Sequence, residues 1–492
     1  MRSGSQTFGL LLVANLPLDP NAEWLVRCTA ESFLPTMDVL MNCQRDGVPT
    51  PLTLAVSAGA IELWSRPEFS KAVGTYLEDR ARSYAEAWQQ GPTPLRLVAG
   101  WYEQRYRHLL SFLDSLGGDL LGPLRVMKKQ NTIDVIPALN DLAVGPAGAP
   151  WTAAALGSPI GRFTDAFGAP KGAWLSGGRF SPETDQVLDA HGVRYTFRDQ
   201  AANPNLGGGS RLRASRSGIA YLPIHEVSEQ PIWDTATNML PSLCYRDRGA
   251  APDAGSMSST LLLASQLHHT ALAYHQSRTE GGERELYDPM AAKLLARRHA
   301  AHFAQFIRDS QTSDDRCDHL TVSVRLESLG AVWVEGPWFL ESFLRNAPAA
   351  GLQQTLPLRV LSRFPALPLI DEHQTNELRN NWRQTQWLDA RLDSCTAQLV
   401  TAWHREAKDP ERRVALTQVL RELTSANHET YRTMLVQGVG AEHAGDQIQG
   451  HLSAAERLLS GRKVSSDGAR YAAYWGSKSE WGGSGLLSRV GS

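Results

Sequence analysis

The stretch GAWLSGGRFSP, Gly172 to Pro182, continued by ETDQVLDAHGVRYTF, Glu183 to Phe197, decides the architecture. Ala173, Trp174 and Leu175 read as a short buried strand that ends in Ser176-Gly177-Gly178. A helix starts after Ser181-Pro182, with apolar spacing at Val187 and Leu188 and a glycine stop at Gly192. Val193 to Phe197 follows at once as a second strand. A strand, loop, helix, strand unit is the repeating piece of an α/β barrel. In such barrels the site gathers at the C-terminal strand ends, here Ser176 to Arg179.

The pattern extends outward. Phe8 to Ala14, Thr53 to Val56, Ile133 to Pro137 and His319 to Val324 read as further strands. Glu23 to Leu40, Pro67 to Gln90, Leu95 to Leu120, Ser258 to His275 and Pro289 to Arg308 read as helices. Asp199 to Gly218, with NPNLGGGS, reads as a loop. Asp371 to Leu459 carries helical periodicity and no convincing strand. This predicts an α/β chain: a (β/α) barrel over residues 1–348, an all-α domain over 349–460 and a disordered glycine- and serine-rich tail over 461–492.

Composition excludes several classes. A net charge of −2 argues against sequence-independent nucleic-acid binding, which needs a cationic surface. Five cysteines, scattered and without metal-ligand spacing, fit a reducing cytoplasm. The apolar run Phe8 to Ala14 has no cleavage pattern after it, and no segment approaches the ~20 apolar residues of a membrane span. His299 and His302 are three apart on a helix, but no nearby carboxylate or cysteine completes a metal set. No metal or cofactor is expected.

Three stretches together carry a resemblance. LLLVANLPL (Leu10 to Leu18) leads into EWLVRCTAESFLP (Glu23 to Pro35). GAWLSGGRFSP leads into the Leu188, Gly192, Arg194, Tyr195 helix and strand. RLESLGAVWVEGPWFLESFLR runs from Arg325 to Arg345. In order, spacing and flanking residues the chain resembles glycoside hydrolase family 57, within it the 1,4-α-glucan branching enzymes. The resemblance implies a distorted (β/α)7 TIM-like barrel followed by an all-α domain, and α-glucan as ligand.

It also implies that the chemistry is missing. The family's nucleophilic glutamate falls at Gly177 and its acid/base aspartate at Arg325. Two histidines in the run that ends the first strand fall at Val13 and Asn15. A retaining transfer needs two carboxyl groups about 5–5.5 Å apart. Glycine supplies none, and an arginine guanidinium stays protonated. Fallback carboxylates are Glu327, two residues past Arg325, and Glu183 and Asp185 in the next helix, where acidic residues also favour the helix dipole. Asn15, Trp24, Trp233, Trp382, Glu327, Trp174 and Trp333 are the candidate substrate contacts, since indole packs on pyranose faces. Trp174 and Trp333 equally suit barrel core. The expectation is a catalytically degenerate homologue that binds α-glucan or regulates a partner enzyme of glycogen metabolism. The alternatives are an active transglycosylase with relocated carboxylates and a scaffold whose sugar cleft is closed.

Overall fold

The computed structural model describes residues 7–17, 23–139, 149–176, 182–199, 212–225, 245, 285–313, 319–364, 366–368, 385–438 and 440–461. Its centre is a closed barrel of seven parallel strands. In chain order these are β1 (Thr7–Ala14), β2 (Thr53–Ser57), β3 (Asp134–Leu139), β4 (Gly172–Leu175) and β5 (Tyr195–Asp199). A short antiparallel β6 (Arg213–Ala214) intervenes before β7 (Ala220–Ile224) and β8 (His319–Arg325). Each of β1 to β4 pairs with the next, β5 pairs with β7, β7 with β8, and β8 with β1. The sequence reading leaves out β7, a five-residue strand that contains Pro223 and follows a glycine-rich stretch.

Alternation along each strand sorts side chains into two layers. Leu11, Val13, Ile136, Trp174, Phe197 and Leu222 fill the lumen. Leu10, Leu12, Leu54, Val322 and Val324 face the surrounding helices. The lumen is a packed core and not a pore: a Cβ on Gly172 would lie 2.1 Å from the ring of Tyr195. Glycine at that position lets the tyrosine cross the barrel, where its hydroxyl donates to Asp134 at 2.5 Å.

The helix predicted over 23–40 is two helices, Glu23–Cys28 and Leu34–Arg45, joined by a π-helical turn at Thr29–Phe33. That turn presents Glu31 to the hydroxyls of Tyr76 (2.5 Å) and Tyr106 (2.8 Å). The loop after β8 closes on the same turn. Gly330, at φ +137°, approaches so near that a Cβ there would sit 1.8 Å from the Glu31 carbonyl oxygen. Two motif residues thus meet for reasons of backbone packing.

Past residue 348 the chain stays with the barrel before it turns helical. Gln353 and Thr355 bond the backbone of Phe8, Val360 joins the lumen cluster, and β9 (Leu367–Pro368) pairs with β6. The packing change therefore falls later than the boundary expected at 348/349. Four helices then share a separate core: Gln386–Glu406, Pro410–Ala426, Glu429–Gln437 and Ala441–Leu459, joined through Leu388, Leu416, Leu423, Met434 and Ile448. The helix expected over Ser258 to His275 and the tail from residue 462 lie outside the described residues. No described helix is long and apolar enough to cross a membrane.

Candidate functional site

The C-terminal rim of the barrel brings together Asn15 after β1, Trp174 on β4 and Arg325 at the end of β8. Arg325 stands in register with Val13, and its guanidinium carbon lies 5.7 Å from the centre of the Trp174 ring. That is a cation–π distance. A carboxylate from the helical domain completes the group. Glu429, the first residue of its helix, accepts from Arg325 Nη2 at 3.2 Å with one oxygen and from Asn15 Nδ2 at 3.0 Å with the other. The two donors belong to adjacent strands, so the carboxylate straddles the seam where the barrel closes.

His428 precedes Glu429 and caps the same helix. Its Nδ1 accepts from the backbone N–H of Thr430 at 3.3 Å, which places the proton of the neutral ring on Nε2. Among the described residues Nε2 has no hydrogen-bond partner. Burial, then the charges of Arg325 and His451, hold the imidazole pKa down at about 3. Behind it, His451 and Glu422 meet at 2.7 Å, both buried.

The other expected residues fall elsewhere. Glu327 lies in a 3-10 turn, 1% exposed; its carbonyl accepts from Ser32 Oγ at 3.2 Å. After burial, its charge is the next cause that raises the Cys28 thiol. Asp185 is sealed behind the barrel wall, bonded to Arg198 at 3.2 Å and to the hydroxyl of Tyr221. Glu183 is half-buried in the first turn of the same helix, Pro182–Ala190. Trp24, expected to meet sugar, is buried in the outer core, because its helix turns that face towards the barrel. Trp333 packs against Tyr245 and Phe339 as core. Gly177, Trp233 and Trp382 lie outside the described residues.

His299 accepts or donates at 2.7 Å with Tyr245, and burial followed by the charge of His302 lowers its pKa to about 4. Among the described residues no group of three or more histidine, cysteine, aspartate or glutamate side chains is placed to hold a metal.

Sequence reasoning misses Glu429 and His428. In NHETYRTM they look like ordinary helix-start residues, and Glu429 lies 414 and 104 residues from its partners Asn15 and Arg325. The one available signal was Arg325 itself. A cation on a lumen face needs a counter-charge, and the strands around it supply none in sequence.

No protein-family model matches the chain. The 1,4-alpha-glucan branching enzyme of Thermococcus kodakarensis is 19% identical over 488 aligned residues, covering 89% of this chain and 70% of that protein. Its crystal structure, in complex with glucose, superposes with a TM-score of 0.79 over 92% of this chain and 90% of the other, at 18% identity. The family 57 branching enzyme of Pyrococcus horikoshii gives 0.79 over 99% and 94%, at 19% identity. An alpha-amylase of Thermotoga maritima gives 0.75 over 95% and 96%, at 16% identity. The chain is similar in sequence to the Thermococcus kodakarensis branching enzyme and shares the barrel fold of these structures.

Proposed function

We propose that this protein is a non-catalytic homologue of the family 57 branching enzymes, one that holds α-glucan, alone or for a partner enzyme of glycogen metabolism. The observation that carries the reading is Arg325. At the position where the resemblance expects a proton-donating carboxyl group, a guanidinium is paired with Glu429 and laid over Trp174. An arginine neither gives nor takes a proton near neutral pH. Glu429 is engaged by two donors, and Asp185 is tied to Arg198 and Tyr221 behind the wall. Both therefore support the absence of a double displacement. The glucan ligand comes from the Thermococcus kodakarensis relative, whose name specifies 1,4-alpha-glucan.

The test is incubation of the pure protein with amylose, followed by assays for new α-1,6 branches and for reducing ends. Neither is expected. Turnover that disappears in Glu327→Gln or Glu429→Gln would overturn the reading. Electrophoresis through glycogen tests the ligand, and retardation is expected.

A second reading, a scaffold with a closed cleft, is favoured by one contact: Arg325 already covers a face of Trp174. Unretarded migration through glycogen is its signature.

A further inference from the structure

We infer that the outer face of the helical hairpin formed by Pro67–Gln90 and Thr93–Ser115 is a surface site for an α-glucan chain, separate from the barrel mouth. The inference shares the glucan ligand of the reading above and does not depend on the absence of catalysis. Among the described residues the tryptophans of the sequence motifs offer a sugar little surface: Trp174 is 7% exposed, and Trp24 and Trp333 are sealed in the core. Trp88, near the end of the first hairpin helix, is 50% exposed. It lies against Gly100 of the second. A Cβ on that glycine would stand 3.4, 3.5 and 3.7 Å from Cδ1, Nε1 and Cγ of the indole. Three consecutive ring atoms at nearly one distance mean that the ring is met face-on, since an edge-on approach leaves two of them much farther away. One face of the indole is thus backed by the helix, and the opposite face is turned outward. A flat, supported indole face is the kind of surface on which the apolar side of a pyranose packs.

The neighbours of Trp88 hold it rigidly and widen the site. Tyr84, one turn earlier, stacks on Tyr102 at 4.6 Å and on Tyr106 at 5.8 Å, which clamps the two helices together beneath the platform. Trp101, next to Gly100, meets Trp338 edge to face at 5.6 Å, and both rings are half-buried. Arg105 and Lys293 cover faces of Trp101 and Trp338 at 5.8 and 5.6 Å, so these two rings contribute edges while Trp88 contributes a face. Hydrogen bonding favours a sugar. Trp64 gives its indole N–H to Thr29, and the unpartnered N–H groups of Trp24 and Trp333 are sealed from any ligand. Those of Trp88, Trp101 and Trp338 meet no acceptor among the described residues and belong to rings that are not sealed. The side chains of Gln89, Gln90 and Gln104 are exposed on the same stretch, and amides both donate and accept, as a neutral polyol requires. Trp387, at 43% exposure, stands without an aromatic neighbour among the described residues and offers no such platform.

Calorimetric titration of the full-length protein with glucose and with maltoheptaose, together with electrophoresis through glycogen, tests this. Maltoheptaose should bind at least about tenfold more tightly than glucose, since a single ring covers Trp88 alone. Trp88→Ala should weaken maltoheptaose by about tenfold or more, and Trp88→Tyr, which keeps a stacking ring, should stay within about threefold of wild type. A measurement on the unaltered chain separates loss of a site from loss of fold: maltoheptaose should slow the oxidation of Trp88 by N-bromosuccinimide, mapped by mass spectrometry, and glycerol should not. Undiminished binding by Trp88→Ala, or an unprotected Trp88 at saturating maltoheptaose, would overturn the inference. So would a concentration-dependent dimer that Trp88→Ala abolishes and maltoheptaose does not dissociate, since the face would then belong to a second copy of the chain. Retardation in glycogen that survives Trp88→Ala and is lost in Arg325→Gln sinks this inference and leaves the glucan reading standing. Branching of amylose with Trp88 still protected sinks the non-catalytic reading and leaves this inference standing.

Discussion

Two arginine–carboxylate pairs in this barrel have the same chemistry and the same 3.2 Å separation, and they differ in everything else. Arg198 and Asp185 are 1% and 2% exposed and 13 residues apart, held between a strand and the helix before it. Arg325 and Glu429 are 19% and 20% exposed, 104 residues apart, and join two domains. A sealed pair has no exchange partner, so its worth is structural: removal of one member strands a charge in the wall. The mouth pair is partly exposed, and its two members come from distant parts of the chain. Distance alone does not distinguish a strut from a latch; burial and the origin of each partner do.

Five measurements bear on that comparison. Asp185→Ala should cost about 3–5 kcal/mol, the usual penalty for breaking a buried pair, with the loss of the Tyr221 hydroxyl partner added. A cost below about 1 kcal/mol in urea unfolding would place Asp185 among ordinary surface residues and end the contrast. Glu429→Ala should cost about 1–3 kcal/mol, between the buried and surface ranges, and 0.5 M salt should weaken the Arg325–Glu429 coupling in a double-mutant cycle more than it weakens Arg198–Asp185.

The next effect is acid sensitivity at the mouth. His428 has an ordinary pKa of 6.5 and about 3 when folded, so the unfolded chain binds the extra proton between these values. Stability is full above pH 6.5 and falls as pH drops towards 3, at up to about 1.4 kcal/mol per pH unit from this residue. His428→Asn retains a capping side chain and should flatten that part of the profile; an unchanged slope would show that the ring is not held neutral. The smallest effect belongs to the exposed pair Arg82 and Asp79, 65% and 59% exposed. Asp79→Ala should move stability by less than about 0.5 kcal/mol, which sets the baseline for the other two.

What the sequence made legible follows from the range of the forces involved. β1, β2, β3, β4 and β8 are apolar runs bounded by turn residues, and the helix over Pro67–Gln90 has its predicted limits. These are local features. β7 is a five-residue run with a proline, and its identity as a barrel strand comes only from pairing with β5 and β8. The site divides in the same way. Arg325 and Asn15 stand out because motifs flank them. Glu429 lies on a helix whose local pattern records only its own domain, and the contact that gives it meaning is made across the fold. Trp24 shows the converse: it is an aromatic in a matched motif, and tertiary packing that no local pattern records places it in the outer core.

The meeting of β1 with β8 has a consequence for how the chain reaches this state. Thr7 pairs with His319 and Val13 with Arg325, so the first strand finds one of its two neighbours only after some three hundred intervening residues have been synthesised. At elongation rates of about 5–20 residues per second, β1 waits tens of seconds with an open hydrogen-bonding edge. Edges of that kind pair with whatever strand is offered. Chains truncated before His319 should aggregate through β1, and the seam that Glu429 later straddles is the last part of the barrel to become safe.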